Sequence, residues 1–277
     1  MAASAKDFLR NITDPTIKFE IETLISNFLF IDRIDIYLNP NLLLTTTQEE
    51  SLRNLISRRL NGEPLQYILG YAHFRELKLE VGSGVLIPRP ETEKIVDMAA
   101  EFIFPNTKIL DIGTGSGAIA LSVGKEFQHS RVLGVDISEK ALTYAERNKK
   151  LNGIPNVEFR INDLCAGLGE NSFDIILANL PYIPYSNYQN LERDVKDFEP
   201  ELALTPGKSG LELIEKLILQ SISVLKPNGV ITLEIDKNQS GTVCELFANT
   251  NAFHKAKTFK DYNALDRFVL AQKLETK

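Results

Sequence analysis

Cysteine, histidine and tryptophan are scarce in this 277-residue chain, which has two cysteines, three histidines and no tryptophan. The cysteines and histidines stand far from one another, at His73, His129, Cys165, Cys244 and His254. A metal site needs such side chains at close and regular intervals, and this spacing does not supply them. We therefore predict no metal cofactor and a reducing compartment.

Long apolar runs and an excess of positive charge are also missing. The first residues, MAASAKDFLRN, lack the apolar core of a secretion signal, and no later window reaches the length that spans a bilayer. The net charge of −6 has the wrong sign for a protein whose main partner is a phosphate backbone. We expect a cytoplasmic monomer that neither binds nucleic acid stably nor enters a membrane.

Two segments in the first quarter of the chain carry apolar residues with the period of an α-helix, at residues 17–28 and 52–60. Thr47 and Glu50 form a capping-box pattern in front of the second segment. Apolar stripes of this kind usually belong to a core. The sequence therefore predicts a small helical bundle over residues 1–75, to which we assign substrate recognition and no chemistry.

The rest of the chain has a different period. Residues 71–88 alternate apolar and polar side chains, which predicts a β-hairpin that links the two halves. From Lys108 onward short apolar runs alternate with helical segments, a pattern typical of a parallel sheet covered on both faces. Residues 254–274 contain two strands with a short connection, so one strand should run antiparallel. The predicted fold over residues 76–277 is α/β, with a Rossmann-like sheet.

A glycine-rich loop, LDIGTGSGA, follows the first strand of that sheet. Gly113, Gly115 and Gly117 allow a tight turn and a close approach of the backbone to a ligand, beside the amino end of a helix. The same glycine pattern also fits a dinucleotide-binding loop, so this motif alone leaves two kinds of cofactor open.

Two acids near the loop help to choose between these cofactors. Asp136 ends the next strand, where a carboxylate can accept hydrogen bonds from ribose hydroxyls. Asp111 directly precedes the loop, and its negative charge would repel a pyrophosphate but attract a cationic sulfonium cofactor with its ammonium group.

After the third strand, Asp163 and Leu164 occupy the place where an adenine would lie, although Asn162 and Asp163 also make an ordinary turn pair.

The segment ANLPYIP ends the fourth strand and opens onto the same crevice as the glycine loop. The amide oxygen of Asn179 and the carbonyl of Leu180 can accept hydrogen bonds from one substrate NH₂ group. Pro181 stiffens the turn, and Tyr182 offers a ring on which a planar group can stack. Together they suit a carboxamide or the exocyclic amine of a base as methyl acceptor.

The chain resembles the protein-(glutamine-N5) methyltransferases that modify peptide chain release factors. The likeness rests on several motifs beyond residue 60, which in this chain are GEPLQYILGYAHF, VLIPRPETE, ILDIGTGSGAIAL, GVDIS, FDIILANLPYIP, VKDFEPELAL, LKPNGVITLEI and DRFV. The N-terminal half is similar in length and character to the accessory domain of that family.

The resemblance implies S-adenosylmethionine as methyl donor, S-adenosylhomocysteine as product, and the glutamine of a Gly-Gly-Gln motif in release factors as acceptor. It implies that Gly113 to Gly117 hold the methionine moiety and that Asp136 holds the ribose. The expected catalytic residues are Asn179, Leu180, Pro181 and Tyr182. The expected cofactor-binding residues are Asp111, Gly113, Thr114, Gly115, Ser116, Gly117, Asp136, Asp163, Leu164 and Asn179.

The chain departs from the family pattern at Leu180, where the family usually has a first proline in Asn-Pro-Pro-Tyr. Leucine still supplies a carbonyl but fixes the backbone less firmly. Arg89 and Glu91 in RPETE could line the rim of the pocket, although Thr92 with Glu93 would equally begin a helix. Residues 198–200 could form part of a substrate wall, or simply an exposed loop.

Three alternatives remain at this point. A glutamine methyltransferase acting on a ribosomal protein would carry the same motifs. An amino-methyltransferase of nucleic acid would hold an exocyclic amine in a similar turn, but the acidic charge and the lack of a basic recognition segment speak against it. A nucleotide-binding module without turnover would have no need of two acceptors beside the cofactor.

Overall fold

The computed structural model describes residues 4–39 and 42–275. The α-helices, in chain order, are α1 (Pro15–Leu29), α2 (Asp35–Leu38), α3 (Thr46–Leu60), α4 (Leu65–Leu69), α5 (Glu93–Ala100), α6 (Ala118–Glu126), α7 (Glu139–Asn152), α8 (Tyr185–Tyr188), α9 (Arg193–Lys196), α10 (Glu212–Val224) and α11 (Ser240–Asn249). The strands are β1 (Tyr71–Phe74), β2 (Leu77–Glu80), β3 (Lys108–Ile112), β4 (Arg131–Asp136), β5 (Val157–Ile161), β6 (Phe173–Ala178), β7 (Leu225–Glu234), β8 (Lys257–Lys260) and β9 (Asp266–Gln272). Short 3₁₀ helices cover Ala5–Leu9, Pro90–Thr92 and Glu201–Ala203.

The chain divides into two compact units. The first contains Met1–Gly70 together with Arg193–Phe198, and the second contains Tyr71–Glu192 and Glu199–Lys277. The unit boundary therefore follows Gly70, and the domain limit at residue 75 stays a prediction. In the described ranges no helix is both long and apolar enough to cross a membrane.

The first unit is helical, and its caps explain where the helices begin. The Asp14 carboxylate accepts hydrogen bonds from the N–H groups of Thr16 and Ile17, which starts α1. The capping box of α3 is formed by Thr45 and Gln48, so the prediction of Thr47 and Glu50 was wrong by two residues. Thr45 has the extended backbone that a cap needs, whereas Thr47 already lies inside the helix. The apolar faces of both helices meet in one core.

The second unit contains a seven-stranded sheet, counted over the described residues, with the order β5-β4-β3-β6-β7-β9-β8. Strand β9 pairs antiparallel with both β7 and β8, while the other pairs are parallel. The predicted α/β fold with one antiparallel strand near its end is confirmed. The order reverses between β3 and β6, and a crevice opens at such a switch point beyond the carboxyl ends of the strands.

Alternate residues of the central strands enter two different cores. Leu110 and Ile176 face a cluster that also contains residues of α10 and α11. Their neighbours Ile109 and Ile175 face a second cluster with residues of α5 and α6. Because successive side chains of a strand point to opposite faces, the apolar runs are those of strands covered on both sides.

The predicted hairpin is present but shorter than expected. Strands β1 and β2 pair only from Tyr71 to Glu80, and residues 81–88 form no sheet. At Glu80 the backbone N–H donates to the Asn148 side chain at 2.6 Å, and the carbonyl accepts from the same amide at 3.1 Å. The Asn148 side chain therefore satisfies both backbone groups of Glu80, the last residue of β2.

Candidate active site

Three strand ends lie side by side and define a cleft. Ile112 of β3 is paired with Val135 of β4 on one side and with Ala178 of β6 on the other. The residues that follow these strand ends, among them Gly113 and Asn179, therefore meet at one edge of the sheet, and they line the cleft.

The glycine loop needs glycine for two separate reasons. Gly113, Gly115 and Gly117 have φ values of +70°, +57° and +86°, in the left-handed region that other residues rarely adopt. A Cβ on Gly117 would also lie 3.0 Å from the side chains of Leu121 and Phe159. The loop is therefore constrained by both backbone conformation and packing.

Asp111 is fully buried beneath this loop. Its Oδ2 accepts hydrogen bonds from the Thr114 hydroxyl at 2.6 Å and from the Ala120 N–H at 3.1 Å. Its Oδ1 has no hydrogen-bond partner among the described residues. Burial raises the pKa of this carboxyl to about 7, against the hydrogen bonds that lower it. Asp111 is not among the residues that line the cleft, although the loop above it is. A buried oxygen without a donor would gain from a cationic group that reached it.

Asp136 ties the glycine loop to the end of β4. Its Oδ2 accepts from the Gly115 N–H and its Oδ1 from the Ser138 N–H, both at 2.9 Å. The side chain is partly buried, lines the cleft, and has a pKa raised by that burial. Each carboxylate oxygen keeps a second acceptor position, so the group can still accept hydrogen bonds from a ligand.

Asp163 and Leu164 both line the cleft but differ in their surroundings. Asp163 is exposed, and its Oδ2 forms an ion pair with Lys216 at 2.6 Å. Leu164 is buried and holds a left-handed φ of +51°. Leu164 thus presents an apolar surface, while one oxygen of Asp163 is engaged by a lysine.

The segment ANLPYIP divides between the cleft and the core. Asn179, Leu180 and Pro181 line the cleft. The Tyr182 ring packs against the core, and its hydroxyl donates to Glu234 Oε1 at 3.2 Å. Burial, followed by the charge of Glu234, raises the pKa of Tyr182. The idea that this ring stacks on a substrate stays a prediction.

Two buried residues behind Asn179 were not predicted from the sequence as site residues. Asn179 Nδ2 donates to the Thr92 hydroxyl at 3.0 Å, and that hydroxyl donates to Glu234 Oε2 at 2.7 Å. Burial raises the pKa of Glu234 to about 7. Thr92 also stands at the N-cap position of α5, as predicted, but its side chain makes no capping hydrogen bond there. Glu234 is the acidic residue at the end of the apolar run of β7, and this position was the sequence feature that could have identified it as a site residue.

The RPETE and FEPE segments meet at one ion pair. Arg89 lines the cleft and contacts Glu199 at 2.5 Å, while the other oxygen of Glu199 accepts from the Ile87 N–H at 3.1 Å. Glu199 is only 5% exposed. Phe198 belongs to the first unit, and the role of residues 198–200 as a substrate wall stays a prediction.

Glu91 is partly buried, and its charge contributes to the raised pKa of Glu234. No group of three or more His, Cys, Asp or Glu side chains in the described parts of the chain is arranged to hold a metal ion.

Comparison with protein families gives two matches. Residues 103–269 match a model described as a methyltransferase domain, and residues 2–70 match the PrmC N-terminal domain. The chain is 40% identical over 259 residues to a release factor glutamine methyltransferase of Thermodesulfovibrio yellowstonii, covering 92% of each chain. It is 39% identical over 261 residues to the protein of that name from Lactococcus lactis, covering 94% of each.

Solved structures support the fold. A methyltransferase from Pyrococcus furiosus matches with a TM-score of 0.56 at 22% identity, over 80% of this chain and 99% of that one. A ribosomal protein L11 methylase from Lactobacillus delbrueckii matches with a TM-score of 0.52 at 22% identity, over 72% and 86% of the two chains. At this identity the structures show a shared methyltransferase fold.

Proposed function

Because the chain belongs to the release factor glutamine methyltransferase family, we propose that its cleft transfers a methyl group from S-adenosylmethionine to the side-chain amide nitrogen of the glutamine in the Gly-Gly-Gln motif of release factors. The observation that carries this proposal is the position of Asn179, whose Nδ2 is held by Thr92 at 3.0 Å while the residue itself lines the cleft. Its Oδ1 is therefore the end of the amide left for a substrate NH₂.

The residues around the glycine loop fit the proposed cofactor. Asp111 Oδ1 is a buried acceptor without a partner among the described residues, as the ammonium group of a methionine moiety requires. The left-handed glycines keep side chains away from the ligand, and Asp136 can accept from ribose hydroxyls. Leu164 would cover a face of the adenine. The bound cofactor supplies an electrophilic methyl group on a positively charged sulfur.

The protein's own residues then act on the acceptor amide. An amide nitrogen is a poor nucleophile because its lone pair is delocalised, so its orientation matters more than a strong base. Asn179 Oδ1 and the Leu180 carbonyl would accept the two N–H bonds, hold the nitrogen in place, and stabilise the positive charge that develops on it. The methylated nitrogen is then acidic and releases a proton to water, which leaves a neutral N-methyl amide.

Labelled S-adenosylmethionine and purified release factor test this proposal directly. We expect label in the release factor, and none in a variant whose acceptor glutamine is replaced by alanine. Ribosomal protein and nucleic acid serve as competing acceptors in parallel reactions. Transfer to either of these without transfer to the release factor would overturn the proposal.

A further inference from the structure

The Asn179 amide has two ends of nearly equal shape and opposite hydrogen-bonding character. Its oxygen accepts and its NH₂ group donates. If the proposed function holds, on which this inference rests, only the oxygen can face a substrate NH₂. Rotation of the amide by half a turn would set two donors against each other. Something in the fold has to select one orientation.

Thr92 and Glu234 lie behind the NH₂ end of the Asn179 amide. Both are buried, with 4% and 2% of their surface exposed. Asn179 Nδ2 lies 3.0 Å from Thr92 Oγ1, which lies 2.7 Å from Glu234 Oε2. The Tyr182 hydroxyl lies 3.2 Å from the second oxygen of Glu234.

The donors and acceptors of this chain leave one consistent arrangement when Glu234 is ionised. A carboxylate can only accept, so the single proton of the Thr92 hydroxyl must point to Glu234. The hydroxyl then presents a lone pair to Asn179. Only the NH₂ end of the amide can satisfy that lone pair, and the oxygen must turn toward the cleft.

Several groups around Glu234 influence its charge. The hydrogen bonds from Thr92 and Tyr182 and the positive charge of Arg267 favour the carboxylate. Burial is the largest influence on this group, and together with the negative charge of Glu91 it raises the pKa of Glu234 to about 7, so the carboxylate is the main form above pH 7. The two hydroxyl donors suit an ionised acceptor, because each carboxylate oxygen receives one of them.

We propose that Thr92 and Glu234 are positioning residues that fix the polarity of the Asn179 amide, so that Oδ1 faces the acceptor glutamine. Thr92 is among the residues that line the cleft, but its hydroxyl is engaged between Asn179 and Glu234. Both residues act through Asn179, and their loss should change which group the cleft prefers to bind as well as how fast it reacts.

The test compares Thr92→Val, which removes the hydroxyl at constant shape, with Thr92→Ser, which keeps it. Thr232→Val is the matched control, because Thr232 is a buried threonine on the same strand as Glu234 and its Oγ1 has no partner among the described residues. Each variant is assayed with release factor for kcat and KM. A release factor with glutamate in place of the acceptor glutamine is measured as a competitive inhibitor.

We expect Thr92→Val to lower kcat by about tenfold, the scale of one lost hydrogen bond, with cofactor affinity within about twofold. The amide of Asn179 can then turn its NH₂ toward the cleft and bind a carboxylate. The inhibition constant of the glutamate-bearing release factor should therefore fall by about tenfold relative to the KM of the natural substrate. Thr92→Ser should restore both quantities, and Thr232→Val should change neither.

Asn179→Ala provides a second readout. If Thr92 acts only through Asn179, Thr92→Val should cause little further loss of kcat in that background. Should Thr92→Val fail to fold, Glu234→Gln replaces it, because a neutral amide can donate to Thr92 and release the hydroxyl proton toward Asn179. A shift of the inhibition constant in the same direction is expected there.

An unchanged ratio of inhibition constant to KM in Thr92→Val, or an additive loss with Asn179→Ala, would overturn the positioning role. These results are distinguishable from failure of the proposed function. If the proposed function itself were wrong, the wild-type protein would transfer no label to release factor.

Discussion

Leu180 packs directly over the glycine loop: its Cδ2 atom lies 3.0 Å from the point where a Cβ on Gly113 would stand. Leu180 is buried, with 4% of its surface exposed. The residue that stands where the family usually has proline therefore contacts the proposed cofactor loop through its side chain. The loss of proline's rigidity is accompanied by a packing contact that a smaller side chain would not provide.

Gly113→Ala should therefore destabilise the protein more than Gly115→Ala. Both positions have a left-handed φ, which costs about 1–2 kcal/mol for an alanine. A Cβ on Gly115 has no neighbour closer than 4.0 Å, whereas one on Gly113 meets Leu180. Urea unfolding of the two variants measures the difference, and the additional Leu180→Ala change should reduce it. Equal free energies of unfolding would show that Leu180 moves aside without penalty.

Cofactor binding should weaken as the pH falls below 7. The pKa of Asp111 is raised to about 7 by burial, so the carboxylate proposed to attract the cofactor's ammonium group is lost by protonation below that pH. The dissociation constant should rise by up to about tenfold for each pH unit below 7. Calorimetry from pH 8 to pH 5.5 measures it. Asp111→Asn should bind more weakly at pH 8 and with a flatter dependence, and an unchanged slope would contradict the role of Asp111.

The same shift predicts how stability depends on pH without cofactor. The folded pKa of Asp111 lies above its ordinary value of 3.8, so the folded protein holds a proton that the unfolded chain releases between about pH 4 and pH 7. The contribution of this group is fully present below pH 4 and is lost as the pH rises through 7. Asp111→Asn should therefore lose less stability than wild type between pH 5 and pH 8, as measured by urea unfolding at each pH.

The sequence allowed the fold and the edge of the sheet with the cleft to be predicted, because both depend on local patterns. The periodicity of the apolar residues predicts the strands and helices of the sheet. The positions at which the apolar runs end predict the loops after β3 and β6. The antiparallel β9 followed in the same way from the short connection that precedes it. These features need information from only a few neighbouring residues.

Contacts between distant positions could not be predicted in this way. Thr92 and Glu234 are 142 residues apart, and only the folded sheet brings them together behind Asn179. Thr92 has a sufficient local explanation as a helix start, so nothing in its own segment pointed to a second partner. The packing of the Tyr182 ring against the core likewise depends on elements remote in sequence.

The Arg89 and Glu199 pair should hold the rim of the cleft. Glu199→Gln keeps an oxygen for the Ile87 N–H but removes the charge that faces Arg89. Because Arg89 is one third exposed, we expect a modest loss of about 1–2 kcal/mol in the free energy of unfolding. Arg89→Met should cost more, since it leaves the buried carboxylate uncompensated. Chemical unfolding compares the two, and a reversed order would show that Glu199 is held mainly by Ile87.

Asn179→Ala should separate chemistry from cofactor binding. Asn179 lies at the end of β6, and Asp111, on β3, is proposed to bind the charged end of the cofactor. We expect cofactor affinity within a few-fold of wild type and methyl transfer lowered by about a hundredfold or more, the scale of one lost positioned group in an active site.

Asn179→Asp keeps the shape and an acceptor oxygen, but Thr92 must then share its proton between two carboxylates. It should retain more activity than alanine at low pH, where one carboxyl is protonated, and lose that advantage as the pH rises. Single-turnover rates at saturating cofactor measure both variants, and wild-type turnover in Asn179→Ala would show that the residue only ends a strand.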